Sequence, residues 1–333
     1  MKRNLGIDLL RVWMSFEVVL CHFGHDVEYS IPALFFSKFR VLAVPVFMLV
    51  SFFLTAKLYL NCEPPHKLWV RLKRIYSPLI AWAFIYFFVY NISDALGAHV
   101  PKATFADLLW QIIAGHALNP AMWFNVVLAL LTVLFFLIYK YFSNYKYTIS
   151  IVCIALALGA QYLGVNSFLF KDLGAEIAYP LGRVLEMIPY ASCGLLLYVL
   201  SNKLQSYNDK KFLIIALVLI SGIIVYGGWL RLPGMLSFDY GGVDLLFISV
   251  TLLIIFYNLP VSKMPIFIRR PIEIASKYSM GIYCMHLLVG NLVSMLNLPV
   301  SSFIFSIIIY IISLCVAVLL SNIPIRGVKA IVE

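Results

Sequence analysis

In the stretch NLGIDLLRVWMSFEVVLCHFGHD, Arg11 and His22 stand eleven positions apart. A helix turns such a pair to within about 20° of each other around its axis and separates them by about 16 Å along it. Asp8, Ser15 and His25 fall within about 60° of Arg11 on the same side, whereas Glu17 is rotated by about 120°. A guanidinium at one end of this stripe can fix an anionic ligand, and an imidazole at the other can accept a proton near neutral pH. Asp8, one turn before Arg11, is expected to hold the guanidinium in place. Glu17 is expected to orient a partner other than the imidazole. Each ionisable group in a hydrocarbon setting costs at least about 2.5 kcal/mol. A stripe facing a polar cavity therefore accounts for the four residues Asp8, Arg11, Glu17 and His22 better than snorkelling plus a local ion pair. A competing reading takes His22, His25, Asp26 and Glu28 of HFGHDVE as metal ligands. Such spacing arises easily near a helix end, and no metal is expected.

The elements that must position these residues are membrane helices. The chain has 333 residues, 63% hydrophobic and 12% charged, and its mean hydropathy of +0.96 lies beyond that of soluble domains. Apolar windows of about 18 to 24 residues recur, each long enough to cross hydrocarbon as a helix. Runs such as FIFSIIIYIISLCVAVLL do not alternate, which argues against a β-barrel. Ten spans are expected, near 5–24, 39–60, 76–97, 122–140, 147–164, 179–200, 212–230, 241–258, 277–297 and 303–323. An even number places both termini on one side. With the termini inside, eighteen of the 25 basic residues fall in inside segments, so a plasma (inner) membrane protein with cytoplasmic termini is expected. The net charge of +10 then reflects topology, and its scatter over separate segments excludes a nucleic-acid site. Five of the six cysteines fall in spans, with only Cys62 outside, and no disulfide framework is implied. The first span follows Lys2 and Arg3 as a signal peptide would. Its charged interior, and the lack of a small-residue cleavage site, indicate that it is retained. One domain, 1–333, is expected.

Several further segments repeat a known order. VPVFMLVSFFL at 44–54, RLKRIYSP with Arg71 and Arg74, MWFNVVLALL at 122–131, IPYASCGLLLY at 188–198 and SMGIYCMH at 279–286 follow the Arg11 to His22 helix. Together they resemble the acyltransferase 3 family of multi-pass membrane acyltransferases, in its stand-alone form. The chain departs from the family pattern at Phe52, where a glycine usually follows the serine, and at Asn125, where leucine is common. The resemblance implies an all-α integral membrane bundle that moves an acyl group, commonly acetyl, from cytoplasmic acyl-CoA to a hydroxyl. The hydroxyl would belong to a surface or secreted glycan, or a lipid-linked sugar, on the far side.

It further implies a donor site at Arg11, Ser51 and the inner loop 62–76, whose Lys67, Arg71, Lys73 and Arg74 suit phosphates. His22 becomes the general base, with Arg11, Asp8 and Glu17 in its catalytic helix. Trp123, Ser279, Tyr283, His286 and Asp244 become candidates for acceptor contacts or the oxyanion, as does Ser51 for the oxyanion. No permanent cofactor is implied, and acyl-CoA is a co-substrate. Ser15, Ser51, Ser279 and Cys21 are available nucleophiles, yet no base is fixed beside any of them, so direct transfer is favoured. For His286 the alternative is a buried tautomer bonded to a neighbouring helix, and for Asp244 a helix cap. Arg183 and Glu186, one turn apart, read as an internal ion pair. A transporter or flippase for an anionic or lipid-linked sugar is the rival reading, and a non-catalytic assembly factor a second. Neither an inverted repeat nor a matched pair of Gly/Pro-broken spans supports transport.

Overall fold

The computed structural model describes residues 3–24, 39–61, 63–95, 102–163, 174–204, 240, 242–259, 264–324 and 326–332. Among them every regular element is helical: α1 (Leu5–Phe23), α2 (Ala43–Leu60), α3 (Pro65–Ala95), α4 (Phe105–Ala114), α5 (Trp123–Tyr141), α6 (Lys146–Tyr162), α7 (Ala175–Leu204), α8 (Val243–Asn258), α9 (Ile266–Lys277), α10 (Ser279–Ser294), α11 (Ser302–Ser321) and α12 (Arg326–Val332). Local sequence explains several boundaries. Asn4 caps α1 by accepting from the Ile7 amide, and Ser301 caps α11 by accepting from Ile304. At α4 a reciprocal capping box joins Thr104 and Asp107, and Gly115 closes the helix at φ 80°, a conformation that disfavours any side chain.

The expectation of ten spans is only partly met. Among the described residues five stretches are long and apolar enough to cross a membrane, namely Arg40–Leu60, Pro65–Ala95, Pro120–Tyr141, Ile177–Leu200 and Ser302–Ser321. α1 has 19 residues but carries Asp8, Arg11 and Glu17. α6, α8 and α10 are apolar but have 17, 16 and 16 residues, about 24 to 26 Å of helix at about 1.5 Å per residue. That is short of the hydrocarbon core of about 30 Å. The expected span 212–230 lies outside the described residues, as do His25, Asp26, Glu28 and Cys62. The expected span 277–297 begins at a junction, because α9 ends at Lys277 and α10 starts at Ser279. The stretch 62–76 is not a loop. Pro65 opens α3, where its preset φ and missing N–H suit the first turn, so Arg71, Lys73 and Arg74 project from a helix of 31 residues.

α1 sits at the centre, packed against α2, α8, α9, α10 and α11. Glycines allow the closest approaches: a Cβ on Gly6 would collide with the Phe256 carbonyl of α8, and one on Gly194 with the Leu49 carbonyl of α2. α12 folds back against α3, α10 and α11. Its Val332 is wholly buried over Gly281, where a Cβ would come within 2.8 Å of the Val332 carbonyl. Trp82 Nε1 donates to the Ile331 carbonyl at 3.4 Å and ties α12 to α3.

Candidate active site

Two cavities meet α1. The larger, about 1020 Å³, is lined by Arg11 of α1, Ser51 of α2, Arg71, Lys73 and Arg74 of α3, Ser279 and Tyr283 of α10, and Lys329 of α12. No described Asp or Glu lines it. Hydroxyls orient two of its cations. Arg11 Nη2 donates to Ser279 Oγ at 2.8 Å, and Arg71 Nη2 donates to Ser51 Oγ at 2.5 Å. Arg71 Nε is buried with no partner. Phe47, Phe124 and Leu128 supply an apolar wall. Five cations around one space of this size suit a ligand that is polyanionic at one end and apolar at the other.

The smaller cavity, about 210 Å³, holds His22 and Cys21 of α1, Arg40, Trp123 of α5, Tyr179 and Arg183 of α7, Tyr240 and Tyr283. Tyr283 therefore lines both spaces, and its hydroxyl donates to the Ala121 carbonyl. The Arg183 guanidinium lies 5.3, 5.1 and 5.0 Å from the ring centres of Trp123, Tyr179 and Tyr240. It donates to Glu186 Oε2 at 2.6 Å, the expected ion pair. Rings on three sides and a carboxylate one turn away fix this cation in a rigid wall.

The structure joins some of the predicted residues and separates others. Arg11, Ser51, Arg71, Lys73, Arg74, Ser279 and Tyr283 share the larger cavity, while His22 and Trp123 share the smaller one. The Asp8 charge acts on Arg11, but its hydrogen bonds go elsewhere. Its Oδ2 accepts from Arg3 Nε at 2.6 Å and its Oδ1 from Ser276 Oγ at 2.7 Å, two donors on other segments that occupy both carboxylate oxygens. Glu17 lines neither cavity and accepts from Trp13 Nε1 at 2.7 Å, as its different helix face requires. Asp244, in the first turn of α8, lines neither cavity. His286 lines neither as well, because it sits behind His22 with the ring centres 5.1 Å apart. Its Nδ1 meets the Tyr283 carbonyl of its own helix at 2.7 Å, so the bond is not to a neighbouring helix. Ser15 is turned to the Val12 carbonyl at 2.8 Å and lies 3.1 Å from the Tyr310 hydroxyl. Phe52 is buried in the core and stacks on Tyr59 at 5.2 Å, so the side chain in the usual glycine's place serves packing while Ser51 keeps its cavity position.

Sequence reasoning did not bring Arg40, Tyr179, Tyr240 or Lys329 to the site. Each arrives from a distant segment, and only the positive charge of Lys329 and Arg40 gave any signal. Among the described residues, no group of three or more His, Cys, Asp or Glu side chains is placed to hold a metal.

A family model described as an acyltransferase domain, Acyl_transf_3, matches residues 4–322. The chain belongs to the acyltransferase 3 family. No curated protein and no solved structure matches it. Family membership identifies a membrane acyltransferase, and the matched region takes in both cavities of this acyltransferase 3 domain except for Lys329 and Ala330.

Proposed function

We propose that this acyltransferase moves a short acyl group, acetyl in the first instance, from acyl-CoA to a hydroxyl of an envelope or secreted glycan. The donor enters the larger cavity from the cytoplasm and the acceptor enters the smaller one from the opposite side. The observation that carries this reading is Tyr283, shared by a cavity lined with five cations and a cavity holding His22. The donor's phosphates meet Arg71, Lys73, Arg74 and Lys329, its pantetheine arm runs past Arg11, and the thioester stops at Tyr283. Apolar residues along that path match the uncharged arm.

The transfer proceeds with His22 as base. The acceptor oxygen forms a bond to the thioester carbon while a His22 ring nitrogen takes the hydroxyl proton. The carbonyl oxygen gathers negative charge, and a donor beside Tyr283 stabilises it. Collapse breaks the carbon–sulfur bond, and the CoA sulfur leaves with the proton from His22. Ester and free CoA are the products. Asp8 and Glu17 take no step.

Purified protein in nanodiscs, given acetyl-CoA and candidate glycan acceptors, should release CoA in amounts equal to the ester formed. His22→Ala should abolish release while acetyl-CoA binding persists. A transporter would release no CoA. Wild-type turnover in His22→Ala would remove the assigned base.

A further inference from the structure

The smaller cavity carries positive charge of its own. Among the described residues two guanidiniums, Arg40 and Arg183, line it together with Trp123, Tyr179, Tyr240 and Tyr283, and no Asp or Glu does. Arg183 is matched by the protein itself, through Glu186 at 2.6 Å and three rings at 5.0 to 5.3 Å. Arg40 is not. Its hydrogen bond among the described residues is a long one, from Nη1 to the Gly24 carbonyl at 3.4 Å, and no described carboxylate lies within ion-pair distance of it. The charge of Glu17 reaches Arg40 through space, but Glu17 accepts from Trp13 and lines neither cavity, so it occupies none of the Arg40 donors.

A guanidinium carries five N–H donors, and the bond to Gly24 uses one of them. Arg40 also opens the membrane-length stretch Arg40–Leu60, a position from which an arginine ordinarily reaches outward to water. Here it lines a cavity whose other walls are largely rings and aliphatic side chains such as Val18 and Val44. Apolar walls strengthen the pull of such a cation on an anion, and the planar fork of N–H groups matches the paired oxygens of a carboxylate or a phosphate. The space of about 210 Å³ equals about seven waters at about 30 Å³ each, which admits one sugar ring. Its aromatic walls suit the C–H faces of that ring, and the guanidinium supplies the directional polar contact.

We propose that the smaller cavity takes an acidic sugar, a single ring bearing a carboxylate or a phosphate, and that Arg40 holds the anionic group. The proposal names the class of acceptor. Its consequence for turnover rests on the acyl-transfer reading above, whereas binding of the acidic sugar does not. The two guanidiniums then do different work. Arg183, tied to Glu186 and its rings, stiffens the wall, and Arg40 gives its N–H groups to the ligand. A neutral sugar of the same shape enters the same space and binds more weakly, because Arg40 then meets hydroxyls in place of a charge.

The test uses full-length protein in nanodiscs with methyl glucuronoside, methyl glucoside and α-glucosyl phosphate as probes, binding being followed by saturation-transfer NMR titration alongside the CoA-release assay. Methyl glucuronoside differs from methyl glucoside by a carboxylate in place of a hydroxymethyl group, and should bind about 10- to 150-fold more tightly, the worth of a hydrogen bond to a charged group. Arg40→Gln should erase most of that preference and leave the glucoside within about twofold. Arg40→Lys should recover part of it, since the charge returns without the fork. Arg71→Ala, in the larger cavity, should leave glucuronoside affinity unchanged. Tightest binding by α-glucosyl phosphate, with the same dependence on Arg40, assigns the anion to a phosphate, and tightest binding by the glucuronoside assigns it to a carboxylate. Equal affinity for acidic and neutral probes overturns the proposal, as does a preference that survives Arg40→Gln or disappears in Arg71→Ala. Should Arg40→Gln fail to fold, the wild-type preference and Arg40→Lys decide the matter. If the wild type releases no CoA with any acceptor, the acyl-transfer reading fails, and the probes still judge the acidic-sugar site. Release with neutral acceptors that is indifferent to Arg40→Gln leaves acyl transfer standing and removes this proposal.

Discussion

Arg71 and Ser51 offer the sharpest check on the donor site because the structure specifies how they depend on each other. Arg71 Nη2 donates to Ser51 Oγ at 2.5 Å, and Arg71 Nε is buried without a partner beside the larger cavity. A hydrogen bond to a charged group contributes about 1.5 to 3 kcal/mol, so Arg71→Ala should raise the Kd for acetyl-CoA by about 10- to 150-fold. Ser51 acts by aiming the guanidinium, and losing a bond of ordinary strength, about 0.5 to 1.5 kcal/mol, should cost about 2- to 13-fold. In an Arg71→Ala background that cost should vanish, because nothing is left to aim. The coupling is then about 1 kcal/mol in a double-mutant cycle. Lys73 and Arg74 are exposed, and each should contribute no more than about 1 kcal/mol, most of it lost in high salt. Isothermal titration of the four proteins in nanodiscs, at low and high ionic strength, measures every term. The reasoning fails if Arg71→Ala binds acetyl-CoA as the wild type does. It fails equally if Ser51→Ala costs the same with and without Arg71.

Two other predictions concern the frame around the site. At α4, hydrogen bonds from the Thr104 hydroxyl and amide hold the Asp107 carboxyl below the ordinary aspartate range. A depressed carboxylate stabilises above its unfolded pKa of about 4, and that stabilisation is lost as pH falls through the lower folded value. Protection of the α4 amides in hydrogen exchange should be level from pH 8 to 5 and decline below about pH 4, Asp107→Asn should flatten the decline, and Thr104→Ala should cost about 1 kcal/mol; protection independent of pH would refute the linkage. At α10, Gly281→Val should push α12 from its seat, since a Cβ there meets the Val332 backbone, and overpacking of this kind costs about 1 to 3 kcal/mol. Because Lys329 and Ala330 of α12 line the larger cavity, acetyl-CoA affinity should fall together with the thermal midpoint, and unchanged binding would show that α12 is not part of the donor wall.

What the sequence revealed follows the range of the interactions involved. The stripe from Arg11 to His22 depends only on helical periodicity; a single polar cavity was expected along it, and its two ends instead line two separate cavities. The Arg183 to Glu186 pair is one turn long and was legible for the same reason. For Asp8 the sequence showed the charge beside Arg11 but not its hydrogen-bond partners, which are Arg3, outside the helix, and Ser276, 268 positions away. Spacing along one helix cannot show which carboxylate oxygen a distant hydroxyl will claim. The ring cage around Arg183 draws on α5, α7 and residue 240, and no local pattern marks it. His286 drew attention as a histidine in a span, but its place behind His22 is a fact about how α1 packs on α10. Of the ten expected spans, the described residues show five stretches of full length and composition, with several others shorter. Pro65 extends α3 back through the basic stretch, and the span expected at 277–297 corresponds to α10, Ser279–Ser294.

The partners along α1 also sort its ionisable residues by what each can still do. Asp8 has both oxygens occupied by protein donors and is 6% exposed, so it fastens α1 to the start of the chain and to α9. Glu17 is buried and lines neither cavity, with its Oε1 on Trp13 and its Oε2 without a hydrogen-bond partner. Arg11 differs from both. A guanidinium has five N–H donors, and the hydrogen bond to Ser279 uses one of them, while the side chain faces the larger cavity. Donors held in place by the protein but not consumed by it are what an arriving anion needs, since binding then costs little reorganisation. In a membrane helix a charge is therefore informative chiefly through the hydrogen-bonding capacity its neighbours leave unused.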